Sequence, residues 1–310
     1  MNNELVSIIM PTYNVESFVC DAIKSIQIQT YHNWELIVYD DCSTDRTYEI
    51  CIELSKNDDR IKVFRNQVNS KIEKTLNNAL KEVKGKYVAR MDGDDISEPD
   101  RIEKMKDFLD KNPKISLVGT NTITIDVEGN EIGRVKYPSS FENIKRVIKY
   151  QSPILHIWMT YKSLYDELAG YRVFYGAEDY DFLLRIISNG YEVANIKNYY
   201  GYRVRINRVG NSTSSFGLKK LKSKIYVYKL YRQRKNSKRD NYSEEKMRKY
   251  IKSAKVTEDI FNISTFFLQK AINSDILLKK LFFTFLSFIS PYQVYYFYTR
   301  FMFKKNVNLD

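Results

Sequence analysis

The chain has 310 residues, 43% hydrophobic and 28% charged, which is ordinary for a folded protein with one large domain and an appendage. Its three cysteines, Cys20, Cys42 and Cys51, are too few and too unpatterned for a disulfide framework or a zinc site, and suit a reducing compartment. The net charge of +12 is carried by residues 219–255, with 15 Lys or Arg against three acidic residues, so a neutral body precedes a basic stretch suited to an anionic lipid or nucleic-acid surface.

The opening Met1-Asn2-Asn3-Glu4 lacks the basic stretch and long apolar core of a signal peptide, so a cytoplasmic protein is expected. Three apolar runs then share one pattern. Val6-Ser7-Ile8-Ile9-Met10 ends at Pro11-Thr12-Tyr13-Asn14, and Glu35-Leu36-Ile37-Val38-Tyr39 ends at Asp40-Asp41-Cys42-Ser43. Tyr87-Val88-Ala89-Arg90-Met91 ends at Asp92-Gly93-Asp94-Asp95. Helical spacing fills the gaps over 15–29, with Val19, Ala22, Ile23 and Ile26 on one face, and over 44–56 and 71–83. Ser43 or Thr44 is placed to cap the second helix with Asp45 near its positive end, and Ile61-Lys62-Val63-Phe64 reads as a further strand. This alternation predicts an α/β fold with a mostly parallel sheet covered on both faces, in which ligands bind outside the carboxyl ends of the strands. All three polar clusters fall at those ends, which points to a phosphate-bearing ligand.

After Ser97-Glu98-Pro99 a helix is expected over 100–111, then strands over 115–119 and 122–127 with a turn at Glu128-Gly129-Asn130. A helix over 180–188, closed by Asn189-Gly190, and strands over 191–196 and 200–204 follow. The compact region is expected to end near Gly210-Asn211-Ser212, dividing the chain into 1–215 and a basic helical 216–310.

Three carboxylates within four residues repel one another, so Asp92, Asp94 and Asp95 cost stability unless a cation neutralises them. Hard oxygen ligands suit Mg²⁺ or Mn²⁺, which keep open positions for substrate phosphates. A solvated acidic turn is the plain alternative.

Residues 6–14 and 39–45, Leu76-Asn77-Asn78-Ala79-Leu80, Ala89-Arg90-Met91-Asp92-Gly93-Asp94-Asp95 and Ala177-Glu178-Asp179-Tyr180-Asp181 together resemble the family 2 glycosyltransferases, inverting enzymes with the GT-A fold. The resemblance implies that Pro11, Thr12 and Tyr13 line the nucleotide pocket, with the Tyr ring near uracil, and that Asp40 accepts a hydrogen bond from the base. It also implies that Asp92 faces ribose and metal and that Asp94 ligates the metal bridging the diphosphate. Inverting transfer needs one base that deprotonates the acceptor hydroxyl as its oxygen attacks the anomeric carbon. Asp179 is the candidate and Glu178 its rival, while Asp181 is expected to cap the helix. Two positions depart from the family pattern. Lys71 stands where relatives often carry Gly, and Arg205 where many place His, which leaves Arg203 and Arg205 as diphosphate candidates. His156, in a stretch similar to the family's acceptor-side segment, is either an acceptor contact or a satisfied core histidine.

Residues 281–299 are uncharged, rich in Phe and Tyr, and broken at Pro291. They reach the lower limit of a membrane span, about 17 residues, yet Ser287, Ser290, Pro291 and Gln293 occupy the middle, where a span is driest. With Lys279, Lys280, Arg300, Lys304 and Lys305 at the flanks, interfacial helices on an anionic inner leaflet are expected, and helices packed on the enzyme's own body are the alternative. The expected function is metal-dependent transfer of a hexose from a UDP-sugar to a saccharide acceptor by a peripheral membrane enzyme with no nucleic-acid partner. The acceptor would be an O-antigen, capsule or exopolysaccharide intermediate on undecaprenyl diphosphate. A sugar nucleotidyltransferase shares the sheet and metal but has a Gly-rich first loop. A nucleic-acid binder using 219–255, or a silent scaffold, leaves the carboxylates unexplained.

Overall fold

The computed structural model describes residues 4–206 and 217–307. Its first elements are β1 Val6–Thr12, α1 Val19–Gln27, β2 Trp34–Asp40, α2 Thr47–Ser55, β3 Ile61–Arg65, α3 Ile72–Lys81 and β4 Tyr87–Arg90. Helices cover both faces of the sheet, so β1 and β2 are buried almost throughout and read as unbroken apolar runs. The strands lie in the order β3-β2-β1-β4, all parallel, and their carboxyl ends share one edge.

Several boundaries shift for local reasons. α1 begins at Val19 rather than at 15, because Val15 and Glu16 donate their N–H groups to Thr47 Oγ1 (2.8 Å) and Asp45 Oδ2 (3.1 Å) and are held in a turn. α2 is capped by neither Ser43 nor Thr44. Asp45 Oδ1 accepts the Thr47 N–H (3.0 Å), while Ser43 is drawn back to Asp40. Before α3, Lys71 sits at φ 71°, ψ 164°, a region otherwise left to glycine. Asp41 holds it there by accepting the Ser70 and Lys71 N–H groups (2.6 and 3.0 Å).

The second half contains β5 Ile96–Ser97, α4 Arg101–Lys111, β6 Ile115–Ile125, β7 Glu131–Val135, α5 Phe141–Val147, β8 Met159–Tyr161, α6 Lys162–Glu167, α7 Glu178–Ser188 and β9 Glu192–Arg205. The sheet continues as β4-β8-β6-β9-β5, with β7 beside β6. β8 runs antiparallel to β4 and β6, and β9 runs parallel to β6. The strands expected in pairs at 115–127 and 191–204 are each one continuous strand. Register shifts around Gly119 and Asn121, and a left-handed Asn198 (φ 56°), absorb the polar breaks without ending the ladder. α7 starts at Glu178, which puts Glu178 and Asp179 in its first turn. Asp181 is not a cap. It is fully buried, and Arg172 (2.5 Å) and Arg185 (2.9 Å) pair with its two oxygens.

The remaining helices are α8 Leu218–Ser237, α9 Glu244–Ile251, α10 Lys255–Ile272, α11 Leu277–Leu286 and α12 Pro291–Val307. The expected end of the compact region, Gly210-Asn211-Ser212, lies outside the described residues. α8 packs into the body, with Tyr226, Val227 and Leu230 in the same core as Ile9, Val88 and Trp158. α10 and α12 touch the body through fewer side chains, Phe261 on Leu218 and Leu221, and Phe303 and Val307 on Val147. Among the described residues, no helix is long and apolar enough to cross a membrane.

Because Lys71 is strained, Lys71→Gly is expected to raise stability by about 1 kcal/mol in urea denaturation, strain relief exceeding the entropy cost of glycine. An unchanged or lower stability would mean that the backbone there is relaxed.

Candidate functional site

Parallel pairing sets Thr12 opposite Asp40 and Ile9 opposite Arg90, so the three polar clusters meet along one rim. Pro11 and Thr12 are buried at the end of β1, and Tyr13 beyond them is 45% exposed with its ring on the surface. Asp40 is fully buried. Its oxygens accept hydrogen bonds from the Ser43 N–H (2.9 Å), the Ser43 hydroxyl (2.5 Å) and more weakly the Thr12 hydroxyl (3.4 Å), and Arg65 stands 3.3 Å away. This carboxylate therefore braces the rim. Gly93 presses against it from the β4 side, since a Cβ there would lie 2.7 Å from Thr12 Cγ2.

Asp92, Asp94 and Asp95 bring carboxylate oxygens within 4.8 Å of one another at the end of β4. Asp95 is the buried member, and burial followed by the charges of Asp94 and Asp92 raises its pKa well above the carboxylate range. A hard divalent cation would relieve that repulsion, and the all-oxygen donor set fits Mn²⁺ or Mg²⁺. Asp95 Oδ1 also accepts the Arg205 N–H (2.8 Å). The Arg205 guanidinium donates to the backbone carbonyls of Asp94 (3.1 Å), Asp126 (3.0 Å) and Val127 (2.6 Å), tying β9 and the 126–130 turn to the acidic loop. Arg203 is turned to Glu98 (2.5 Å). The structure thus gives both arginines protein partners at the edge of the site.

His156 joins the acidic rim to α7. Its Nε2 lies 2.6 Å from Asp92 Oδ2, and its Nδ1 lies 3.6 Å from Asp179 Oδ2. Burial alone would lower its pKa, but the Asp92 charge, aided by Asp179, outweighs that and lifts it to about 9. The imidazolium is therefore the favoured neutral-pH form, its Nε2 donating to Asp92 and its charge facing Asp179. For Asp179, burial works upward, yet the bond to His156 and the charges of His156, Arg90 and Lys224 hold the carboxyl well below its usual range. Glu178 behaves oppositely. Burial, then the neighbouring Asp179, push it up to about 7 against the pull of Arg90, 3.7 Å away. The Asp179 side chain is 21% exposed and that of Glu178 is 8%, so Asp179 is the more open of the pair.

Residues 7–168 match the family described as Glycosyl transferase family 2. The chain belongs to glycosyl transferase family 2. It is 38% identical over 205 residues to a Bacillus subtilis (strain 168) protein named as glycosyltransferase EpsE, across 64% of this chain and 72% of that one. To the Escherichia coli UDP-Glc:α-D-GlcNAc-diphosphoundecaprenol β-1,3-glucosyltransferase WfgD it is 41% identical over 112 residues, 36% of this chain and 44% of WfgD. S. aureus TarS 1–349, solved in complex with UDP-GlcNAc, superposes with a TM-score of 0.64 at 20% identity, covering 95% of this chain and 91% of that one, a likeness of fold. The protein is a glycosyltransferase of GT-A type.

Two residues of this family 2 glycosyltransferase escape the motif reading. Arg90 is almost fully buried, 3.4 Å from Asp92 and facing Glu178, so one guanidinium balances both carboxylate clusters. A lone arginine inside the apolar run Tyr87-Val88-Ala89 was a visible signal for it. Lys224, whose charge acts on Asp179 from α8, left no local signal among so many neighbouring lysines.

His156 has its pKa raised from an ordinary 6.5 to about 9, so its contribution to stability is complete below 6.5 and fades as pH rises through 9. The melting-temperature gap between metal-free wild type and His156→Asn is expected to narrow over that range. A gap that stays constant would mean that His156 is uncharged.

Proposed function

We propose that this glycosyltransferase moves a hexose from a UDP-sugar, with inversion, to a saccharide acceptor carried on a lipid diphosphate. The observation that carries the reading is the line Asp92–His156–Asp179, which couples the acidic rim to a more open carboxylate at the start of α7. The base and ribose would rest on Pro11, Thr12 and Tyr13, braced by Asp40, with Arg205 holding the acidic loop in register and Arg203 paired with Glu98 beside it. Asp92 and Asp94 would hold Mn²⁺ or Mg²⁺, which offsets the negative charge of the leaving diphosphate. Asp179 stays ionised at every physiological pH, so it is always in the form that accepts a proton. The acceptor oxygen attacks the anomeric carbon, its proton passes to Asp179 as the hydroxyl becomes acidic, and the bonding pair of the old glycosidic bond leaves on the diphosphate oxygen. An α-linked donor then gives a β-linked product. TarS was solved with UDP-GlcNAc, and the WfgD name specifies UDP-Glc and a diphosphoundecaprenol acceptor, which favours both halves of the reading.

The C-terminal helices fit an acceptor held at an anionic membrane surface. Their polarity is inverted: Ser264, Ser287, Ser290 and Gln293 are buried between helices, while Leu277, Leu278, Leu281, Phe285 and Phe301 are each more than half exposed. Lysines 270, 279, 280 and 304 are exposed on the same helices. Such a face suits the head-group boundary of an anionic leaflet.

Asp179→Asn is expected to keep UDP affinity and lower turnover about a thousandfold, whereas Asp94→Ala loses Mn²⁺-dependent UDP binding. Calorimetry with UDP and Mn²⁺, paired with a UDP-release screen of donors, reads both, and full turnover in either variant removes that residue's role. In flotation assays the protein should bind vesicles containing phosphatidylglycerol, with Leu281→Glu/Phe285→Glu cutting the bound fraction about tenfold. Equal binding by the variant would point to another face.

A further inference from the structure

Beside the first turn of α7, a cleft is enclosed by the turn after α5, by α8 and by α12, with a cavity of about 50 Å³. That is room for a few waters or one phosphate-sized group. Three cationic side chains, Lys149, Lys224 and Arg300, line it together with Tyr180, Tyr228 and Tyr296. Lys149 Nζ lies 4.8 Å from the Tyr150 ring centre, and Arg300 donates to the Tyr296 hydroxyl (2.6 Å). Among the described residues, Lys224 makes neither a hydrogen bond nor an ion pair. Burial first, then repulsion from Lys220 and Arg300, lower its pKa despite attraction from Asp179 and Glu178. Lys224 is partly buried while Lys149 and Arg300 reach solvent, and like charges converging on one cleft repel unless an anion joins them. The cleft adjoins Asp179 (Tyr180, on its wall, is the next residue), and its α12 wall continues to the exposed Tyr298 and Phe301.

We propose that this cleft seats one phosphate of the lipid-linked acceptor's diphosphate, with Lys224 and Arg300 as its ligands, and that the rest of the diphosphate and the lipid leave along α12. The assignment rests on the lipid-diphosphate reading above. It separates two anion sites: the donor diphosphate at the acidic rim through a metal, and the acceptor diphosphate at side-chain cations without one. The tyrosine rings would flank the sugar and the first isoprene units.

Farnesyl diphosphate, titrated calorimetrically into the full chain with and without saturating UDP and Mn²⁺, tests the site apart from donor chemistry. The expected result is one site that persists in the UDP-loaded protein. It should weaken about tenfold in Lys224→Met and in the exposed Arg300→Ala, stay within about threefold in Lys224→Arg, and leave UDP affinity unchanged. If UDP binds but farnesyl diphosphate does not, or binds both neutralised variants equally, the cleft assignment falls and the donor reading stands. Lys224-dependent farnesyl diphosphate binding in a protein that fails to bind UDP would instead sink the donor reading and keep the cleft. Displacement by equimolar phosphatidylglycerol would reassign the anion to a bulk lipid head group and overturn the diphosphate assignment. Arg300→Ala keeps the test valid should Lys224→Met fail to fold.

Discussion

Asp92, Asp94 and Asp95 crowd negative charge onto one strand end, and Arg90 and His156 are cations the chain itself sets against it. Neither cation is expendable, because each also faces the second acidic pair on α7. The result is an alternating array in which Asp179 and Asp92 are held ionised while Glu178 and Asp95 are pushed toward the neutral form. Neighbouring carboxylates sort into opposite states when the summed pull of cations outweighs burial and repulsion at one and not at the other.

That array depends on one antiparallel strand. β8 pairs with β4 in reverse, Met159 opposite Ala89 and Thr160 opposite Val88, so the residues before it project past the carboxyl end of β4. His156 is thereby carried to Asp92. A parallel strand in that place would have sent the same residues to the opposite edge of the sheet. The backbone bond from Arg90 N–H to the Trp158 carbonyl (3.1 Å) continues the ladder as far as the site and fixes the histidine's approach.

The parallel half was legible because each strand is short, apolar on both faces and closed by a polar cluster, and nothing distant competes with that pattern. The acidic rim was legible for the same reason: Asp92, Asp94 and Asp95 are neighbours in sequence. What resisted reading was non-local or conformational. Asp181 looks like a capping residue beside Asp179, but Arg172 and Arg185 reach it from opposite directions along the chain and bury it. Gly119 and Asn198 look like strand breaks because a bulge and a strand end share the same residues. Lys71 marks a glycine-type conformation without a glycine, legible only once Asp41 is seen holding the two N–H groups.

The basic C-terminal stretch shows how composition misleads about position. Its excess of charge suggests a solvated arm, yet α8 places one face in the main core and sets Lys224 against Asp179. An ammonium there is costly unless something negative is near, and the carboxylates of α7 repay only part of that cost, since they are already shared with Arg90 and His156. The helices that follow invert the usual polarity, so their outer surface is unfavourable in water. Both imbalances would be relieved by one kind of molecule, a long apolar chain ending in an anionic group. On that reading the helical region is not an attachment to the catalytic body but its acceptor half, joined to it through the core face of α8.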